Sequence, residues 1–417
     1  MTFLGVGKMA TIRCSRISGV AWITVAFVIG IVNAVSEAQT KNAPALLLPT
    51  RSISLKTCGW ELEHQLFVHS TGYVPLSLAF NHQGNLWTGY TTKLFKLVPR
   101  AKPESGEQYN IVELSGSPAK CTVRLNRPTT VSSPVAILFS NKGNMLAVAN
   151  DQLHLIDQNG FKDQAVFDLL RPSDHEYYRL SQSPGRKSLV VVIDGHVTAE
   201  SSYTWLDLDT LNIIHRCTYP PAPDYHHFTY FRSFAGDGRF AELDYDNTYT
   251  NTQRATYWVA EGKYCSEKTK VPPEQMQPID ALLFDRETAF FSNNRSDDNA
   301  RSIVVYDQDG SLIHVVSAQD REVKEDLITV SEDGTRVAVV IDTMAGGMPS
   351  LDIGDHVGSR RVDIFDTETW TRTAQIELPV TGKTELTSGP TALAFTPDGK
   401  TLAIRMADLV QFYDGIP

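Results

Sequence analysis

One short unit recurs along this chain: an apolar strand, a tight turn that usually contains glycine, and a second apolar strand. The clearest copy is Thr391–Arg405, where Asp398-Gly399 supplies the positive φ that a hairpin turn requires and Pro397 fixes the entry to the turn. Two close copies are Leu327–Val340 and Ala136–Val148. Four weaker copies keep the apolar spacing: Leu76–Trp87, Arg179–Val191, Tyr230–Phe240 and Ile279–Phe291.

Most copies are followed by a third and a fourth alternating strand, such as Val362–Thr369 and Thr371–Leu378. Alternation with a period of two residues predicts strands rather than helices. Four strands per unit and seven units along the chain are typical of a β-propeller, because radial packing of the sheets supplies a core that one sheet lacks. A β-sandwich would not repeat such a unit, and solenoid repeats are shorter. The sequence therefore predicts an all-β fold: a seven-bladed β-propeller of four-stranded antiparallel blades.

The last unit lacks a fourth strand of its own. It ends at Asp408–Asp414, which has the pattern of a third strand, and the unassigned strand Ser52–Gly59 precedes the first unit. Because pairing removes an open edge and ties the two ends of the chain together, we expect the propeller to be closed by this N-terminal strand.

The N-terminus has the three parts of a secretory signal. Basic residues at positions 8, 13 and 16 precede the uncharged apolar run Gly19–Val35, and small residues precede Gln39. This pattern predicts a signal peptide at 1–38, a linker at 39–50 and the propeller at 51–417. We therefore expect a secreted or periplasmic protein without membrane contact. The alternative is an uncleaved N-terminal segment that anchors the protein in a membrane.

Charge argues against nucleic-acid binding, and missing motifs argue against the common hydrolases and nucleotide-binding enzymes. The formal net charge is −10 and there is no run of Lys or Arg, so the chain would repel the phosphate backbone of a nucleic acid. No nucleophile elbow, metalloprotease helix or phosphate-binding loop is present in the sequence. We therefore assign no catalytic residue, no cofactor and no metal ligand.

Two segments resemble a known type of repeat. Phe395–Ala403 is similar to the first turn, and Asp363–Ile376 to the third and fourth strands, of YVTN-type and PD40-type repeats, the WD40-like β-propeller repeats of bacterial exported proteins. The Gly-His and Trp-Asp pairs of true WD40 blades are missing at the matching positions. The resemblance implies a propeller fold, but its superfamily includes interaction scaffolds, lactonases and quinoprotein dehydrogenase subunits, so it does not select a function.

The longer loops are predicted on the face opposite the tight turns, and two of them are rich in Tyr and His. His175, Tyr178, Tyr225, His226 and His227 are the candidate ligand-binding residues. Tyr combines a flat apolar ring with a polar tip, which suits a protein, peptide or carbohydrate ligand. The alternative is that these side chains only fill gaps between blades. No Cys or His pair has the spacing of metal ligands.

The leading interpretation is an exported binding or interaction scaffold with an unknown ligand. The alternative is a propeller enzyme with a central-funnel site, either a lactonase-like hydrolase or a quinoprotein dehydrogenase-type subunit. Polar side chains that converge on the axis would favour the enzyme, and an apolar lining would favour binding.

The four cysteines after the signal invite two disulfides in an exported protein. Cys217 and Cys265, however, fall on outer strands of neighbouring blades, which splay apart, so we expect both to be free thiols.

Overall fold

The computed structural model describes residues 44–59, 78–91, 108–116, 119–129, 135–169, 177–194, 201–219, 227–234, 240–247, 253–260, 268–270, 278–284, 287–292, 302–307, 309–317, 321–344, 357–379, 390–406 and 408–417. The residues from Ala45 to Pro417 form one compact unit. The described residues are almost entirely β-strand, and their strands form seven sheets. Within the described part of the chain, no helix has the length and apolar character to cross a membrane.

Two short strands precede the repeated units, β1 (Ala45–Leu46) and β2 (Arg51–Ser54). Blade 1 contains β3 (Leu78–Phe80), β4 (Leu86–Thr91), β5 (Gln108–Gly116) and β6 (Ala119–Pro128). Blade 2 contains β7 (Ala136–Phe139), β8 (Met145–Ala149), β9 (Gln152–Asp157) and β10 (Lys162–Asp168). Blade 3 contains β11 (Tyr177–Gln182), β12 (Ser188–Asp194), β13 (Ser201–Asp207) and β14 (Ile213–Tyr219). Blade 4 contains β15 (His227–Phe234), β16 (Phe240–Asn247), β17 (Gln253–Ala260) and β18 (Lys268–Lys270).

Blade 5 contains β19 (Pro278–Leu283), β20 (Glu287–Ser292), β21 (Ser302–Asp307) and β22 (Leu312–Ser317). Blade 6 contains β23 (Arg321–Val330), β24 (Arg336–Met344), β25 (Val357–Asp366) and β26 (Arg372–Leu378), with β1 added as a fifth strand. Blade 7 contains β27 (Pro390–Phe395), β28 (Thr401–Met406), β29 (Leu409–Asp414) and, as its outer strand, β2. The prediction of an all-β propeller with four-stranded antiparallel blades is confirmed.

Where the side chains are described, the apolar faces of the blades pack against neighbouring blades. Side chains of blades 2 and 3 form one core cluster, those of blades 5 and 6 another, and those of blades 6 and 7 a third. The alternation of the strands explains this arrangement, because residues on both faces of a blade are apolar and each face meets a different neighbour. Leu138, Val191 and Val339, for example, are completely buried.

The turns that join the first and second strands follow one pattern in five blades. A backbone N–H donates to the carbonyl three residues earlier, from Gly84 to Asn81, Gly143 to Ser140, Arg186 to Ser183, Gly334 to Ser331 and Gly399 to Thr396. The side chains of the accepting residues also take backbone hydrogen bonds, as in the 2.9 Å bond from Arg336 N to Ser331 Oγ. These polar residues therefore close the turns that the repeat predicted.

The predicted closure is confirmed, but the closing strand is shorter than the predicted Ser52–Gly59, because Leu55–Cys58 form a 3₁₀ turn. β2 pairs antiparallel with β29, in a register that places Ser52 opposite Gln411 and Ile53 opposite Val410. β1, which lies inside the predicted linker, pairs in parallel with β26 instead.

One of the two cysteine predictions needs correction. Cys58 and Cys121 form a disulfide with their Cα atoms 5.8 Å apart, and Cys217 is also disulfide-bonded. The prediction of a free Cys217 is therefore wrong, while Cys265 lies outside the described residues. Cys58 can reach Cys121 because it lies in the short 3₁₀ turn after β2, which packs beside β6 rather than splaying away from it.

Candidate functional site

The first strands of the blades surround a cavity on the propeller axis. Its volume is about 250 Å³, and the lining residues that the structure describes come from blades 1, 2, 3, 5, 6 and 7. Most of these described side chains are apolar, and the polar ones among them are Ser181, Gln182, Ser183, Arg186, Thr329, Ser331 and Glu332. The polar groups belong mainly to the ends of first strands and to the turns that follow them. They therefore gather at the face of the tight turns.

Arg186 occupies an unusual position in its turn. By the shared hydrogen-bond pattern, it takes the place of Gly84, Gly143, Gly334 and Gly399 in other blades, and it keeps their left-handed backbone with a φ of 54°. A residue with a side chain pays roughly 1–2 kcal/mol for this conformation. Residues held in such a conformation cluster at functional sites. The backbone conformation of Arg186 makes its side chain a candidate functional group.

The Arg186 side chain joins three blades across the axis. Its Nη1 donates to the carbonyl of Phe80 at 2.9 Å, and its Nη2 lies 3.3 Å from Glu332 Oε2. Burial lowers the pKa of Arg186, and the nearby Glu332 carboxylate acts in the opposite direction. Among the described lining residues, Arg186 and Glu332 are the two charged ones, and they pair with each other.

His82 lies beside the Arg186–Glu332 pair. Together, His82, Arg186 and Glu332 are called the axial polar cluster. The Nε2 atom of His82 lies 2.9 Å from the carbonyl of Ser140, which can only accept, so Nε2 carries a proton. Its Nδ1 lies 3.7 Å from Glu332 Oε1. The cluster therefore brings together side chains of blades 1, 3 and 6 at one end of the cavity.

Neighbouring blades are also tied together on this face. The carboxylate of Asp209, after β13, accepts hydrogen bonds from Ser140 Oγ at 2.6 Å and Asn144 Nδ2 at 2.9 Å. Lys142 Nζ lies 3.1 Å from the same carboxylate. Burial alone would raise the pKa of Asp209, but these partners lower it overall. The turn face is consequently a fixed surface around the axial cavity.

The candidate residues predicted from the sequence are only partly described. Tyr178 lies on β11 opposite Ile193, and its half-buried side chain packs against the core shared by blades 2 and 3. His227 begins β15 opposite Asp246, but its side chain is outside the described atoms. His175, Tyr225 and His226 lie outside the described residues. The predicted ligand site on the loop face stays a prediction.

Sequence reasoning missed the axial polar cluster because it looked for function in the longer loops. The available signal was an alignment of the repeated turns, which places Arg186 where four other copies have glycine. No group of three or more His, Cys, Asp or Glu side chains suited to a metal ion occurs among the described residues.

Comparisons with known proteins extend only to the fold. No family model and no curated protein matches this chain. The C-terminal WD40 domain of Sif2 is 11% identical, with 90% of this chain and 99% of that chain covered and a TM-score of 0.50. The structure of the Mitotic Checkpoint Complex contains a chain that is 12% identical, with coverages of 90% and 97% and a TM-score of 0.51. The chain is thus similar in fold to WD40 propellers.

Proposed function

We propose that this chain is an exported β-propeller that serves as a binding scaffold for a protein, peptide or carbohydrate partner. The axial polar cluster is the observation that favours a binding function over catalysis. Arg186 and Glu332 neutralise each other at 3.3 Å, and most of the remaining lining is apolar, so the cavity offers contact surface rather than an activated nucleophile. One of the structures similar in fold is that of the Mitotic Checkpoint Complex, and a scaffold role would fit the same fold.

Export is supported by two observations. The N-terminus carries the signal-like pattern, and three described cysteines are disulfide-bonded, which suits an oxidising compartment. Expression of the full chain in a secreting host, followed by N-terminal sequencing of the exported product, tests this part. A product that begins at Gln39 supports the proposal. Retention of the whole chain in the membrane fraction would favour the anchor.

The partner surface is proposed to be the loop face with Tyr225, His226 and His227. Alanine at these three positions should abolish capture of a cross-linked partner from intact cells without changing the melting temperature. Tyr178→Ala is the matched variant: it should lower the melting temperature because its ring packs between blades 2 and 3. Unchanged capture by the triple variant would contradict a loop-face site.

The enzyme alternative has one observation in its favour, the approach of His82 Nδ1 to Glu332 Oε1 at 3.7 Å. A Glu332→Gln variant separates the two functions. The scaffold predicts unchanged partner capture, because the amide keeps the shape of the cavity lining. It also predicts no turnover of a lactone substrate by either protein, whereas a central-funnel enzyme predicts turnover by the wild-type chain that Glu332→Gln abolishes.

A further inference from the structure

The chain itself shows how a blade accepts an added strand. β1 pairs in parallel with the outer edge of blade 6, with Ala45 opposite Ala374 and Leu46 opposite Gln375. Leu47 N donates to Gln375 O at 2.9 Å. The backbone N–H and C=O of one strand residue point to the same side, so both groups of Gln375 face the added strand. The β26 residues that pair with β1 come directly after a shift in the β25–β26 register. This shift lies between Ile364 and Phe365 of β25.

β22, the outer strand of blade 5, has the same local register. The β21–β22 pairing has its irregularity between Val305 and Tyr306, and then places His314 opposite Val305 and Val315 opposite Val304. Val315 is therefore the structural equivalent of Gln375 in blade 6. Its backbone N–H and C=O point away from β21, and β22 ends its sheet among the described strands.

The amino-acid composition of β22 does not protect this edge against pairing with another chain. Among the described fourth strands of the blades, β22 alone lacks Asp, Glu, Lys and Arg, since β2, β6, β10, β14, β18 and β26 each carry at least one. Charged side chains on an edge strand oppose pairing with another chain. Leu312 and Val315 are 56% and 50% exposed. The β22 edge thus combines exposed apolar side chains with a backbone that lacks such protection.

We propose that β22 is a strand-addition site that takes an extended, uncharged apolar segment of a partner protein. The occupant is specified by the segment that fills the equivalent edge of blade 6, Pro44–Pro49, which has no charge and consists of Ala and Leu between two prolines. Such recognition draws affinity from main-chain hydrogen bonds and specificity from alternate side chains. This inference rests on the proposed scaffold function and names a partner chemistry for it.

The test uses a fluorescent peptide with the sequence of residues 43–50 as the probe and the full chain as the receptor. Val315→Pro removes the outward N–H while leaving the hydrogen bonds to β21 in place, because proline is tolerated where an edge N–H faces solvent. We expect the peptide Kd, measured by anisotropy, to rise at least about tenfold. The matched control is Val166→Pro on β10, at the equivalent position opposite His154 and 47% exposed, which should leave the Kd unchanged.

Three outcomes would overturn the proposal. The first is no peptide binding to the wild-type chain, and the second is binding that survives Val315→Pro, which would mean displacement of β1 from blade 6. The third is self-association of the wild-type chain in sedimentation that Val315→Pro abolishes, which would make a second copy the occupant. Val315→Lys replaces the proline variant if that variant melts early. The alanine variant at Tyr225, His226 and His227 should still bind the peptide, so failure of the loop-face site is measured separately.

Discussion

At the scale of single residues, one turn position shows which features the repeated sequence predicts and which it does not. The repeat predicts a left-handed residue after the first strand, and Gly334 and Gly399 meet that need with φ values of 72° and 66°. Arg186 holds the same conformation with a side chain that reaches Phe80 and Glu332. The place of Arg186 in the turn could be predicted from the copies. Its partners could not, because they belong to blades distant in sequence.

Gly89 provides the residue-scale prediction. A methyl group added to Gly89, on β4, would lie 2.3 Å from Val135 Cγ1 of the next blade. Gly89→Ala should therefore lower the free energy of unfolding by about 1–3 kcal/mol, measured by urea denaturation. The control is Gly160→Ala, whose added carbon would meet its nearest neighbour at 3.6 Å. Equal losses in the two variants would contradict close packing at Gly89, and adding Val135→Ala to Gly89→Ala should recover part of the loss.

At the scale of elements, the strands and the closure were predictable because alternation and the missing fourth strand are local signals. The disulfide was not, because the sequence does not show that Cys58 lies in a turn after β2 beside β6 rather than on an outer strand. The closing pair is also held by polar contacts. Asp414 accepts from Thr50 Oγ1 at 2.6 Å and from Thr401 Oγ1 at 2.7 Å, and Arg51 Nη2 lies 3.8 Å away.

These contacts predict acid sensitivity of the closure. Burial alone would raise the pKa of Asp414, but the two hydrogen bonds and Arg51 hold it below its ordinary value of 3.8. A carboxylate with a lowered folded pKa stabilises the fold above its unfolded pKa and loses that contribution as pH falls through the folded value. Asp414→Asn should thus reduce stability at pH 6 but less so below pH about 3.8, in urea midpoints measured across pH. Asp309→Asn, in an exposed turn, is the control; a constant difference for Asp414→Asn across pH would contradict the role.

At the scale of the whole molecule, several interactions meet where blade 7 joins blade 1. Arg405, which is buried, donates to Thr88 Oγ1 at 2.8 Å and Gly89 O at 3.1 Å, and burial lowers its pKa to about 10. Tyr90 donates its hydroxyl to the carbonyl of Cys58, and burial raises its pKa to about 12. The Cys58–Cys121 disulfide then links the closing segment to blade 1. This contact between blade 7 and blade 1, the seam of the ring, is therefore formed by chain segments that are far apart in sequence.

Removal of that disulfide tests the seam. Cys58→Ala with Cys121→Ala should lower the free energy of unfolding by about 2–4 kcal/mol, because the bond closes a loop with a sequence separation of 63. Urea denaturation of the oxidised proteins measures the loss, and the disulfide at Cys217 stays intact in the variant. The same midpoint in both proteins would show that the hydrogen bonds and packing hold the seam without the covalent link.

Because the outer strand of blade 7, β2, comes from the N-terminal part of the chain, ring closure affects the order of folding. During synthesis β2 leaves the ribosome before any blade, yet its partner β29 is made last, so the pairing of Ser52 with Gln411 waits for almost the entire chain. Contacts of such long sequence separation slow folding and leave strand edges exposed in the meantime. Blades 1 to 6 can form their own sheets earlier, while blade 7 depends on both ends of the chain. We therefore expect closure to be the late, rate-limiting step and the stage at which the chain is most prone to aggregate.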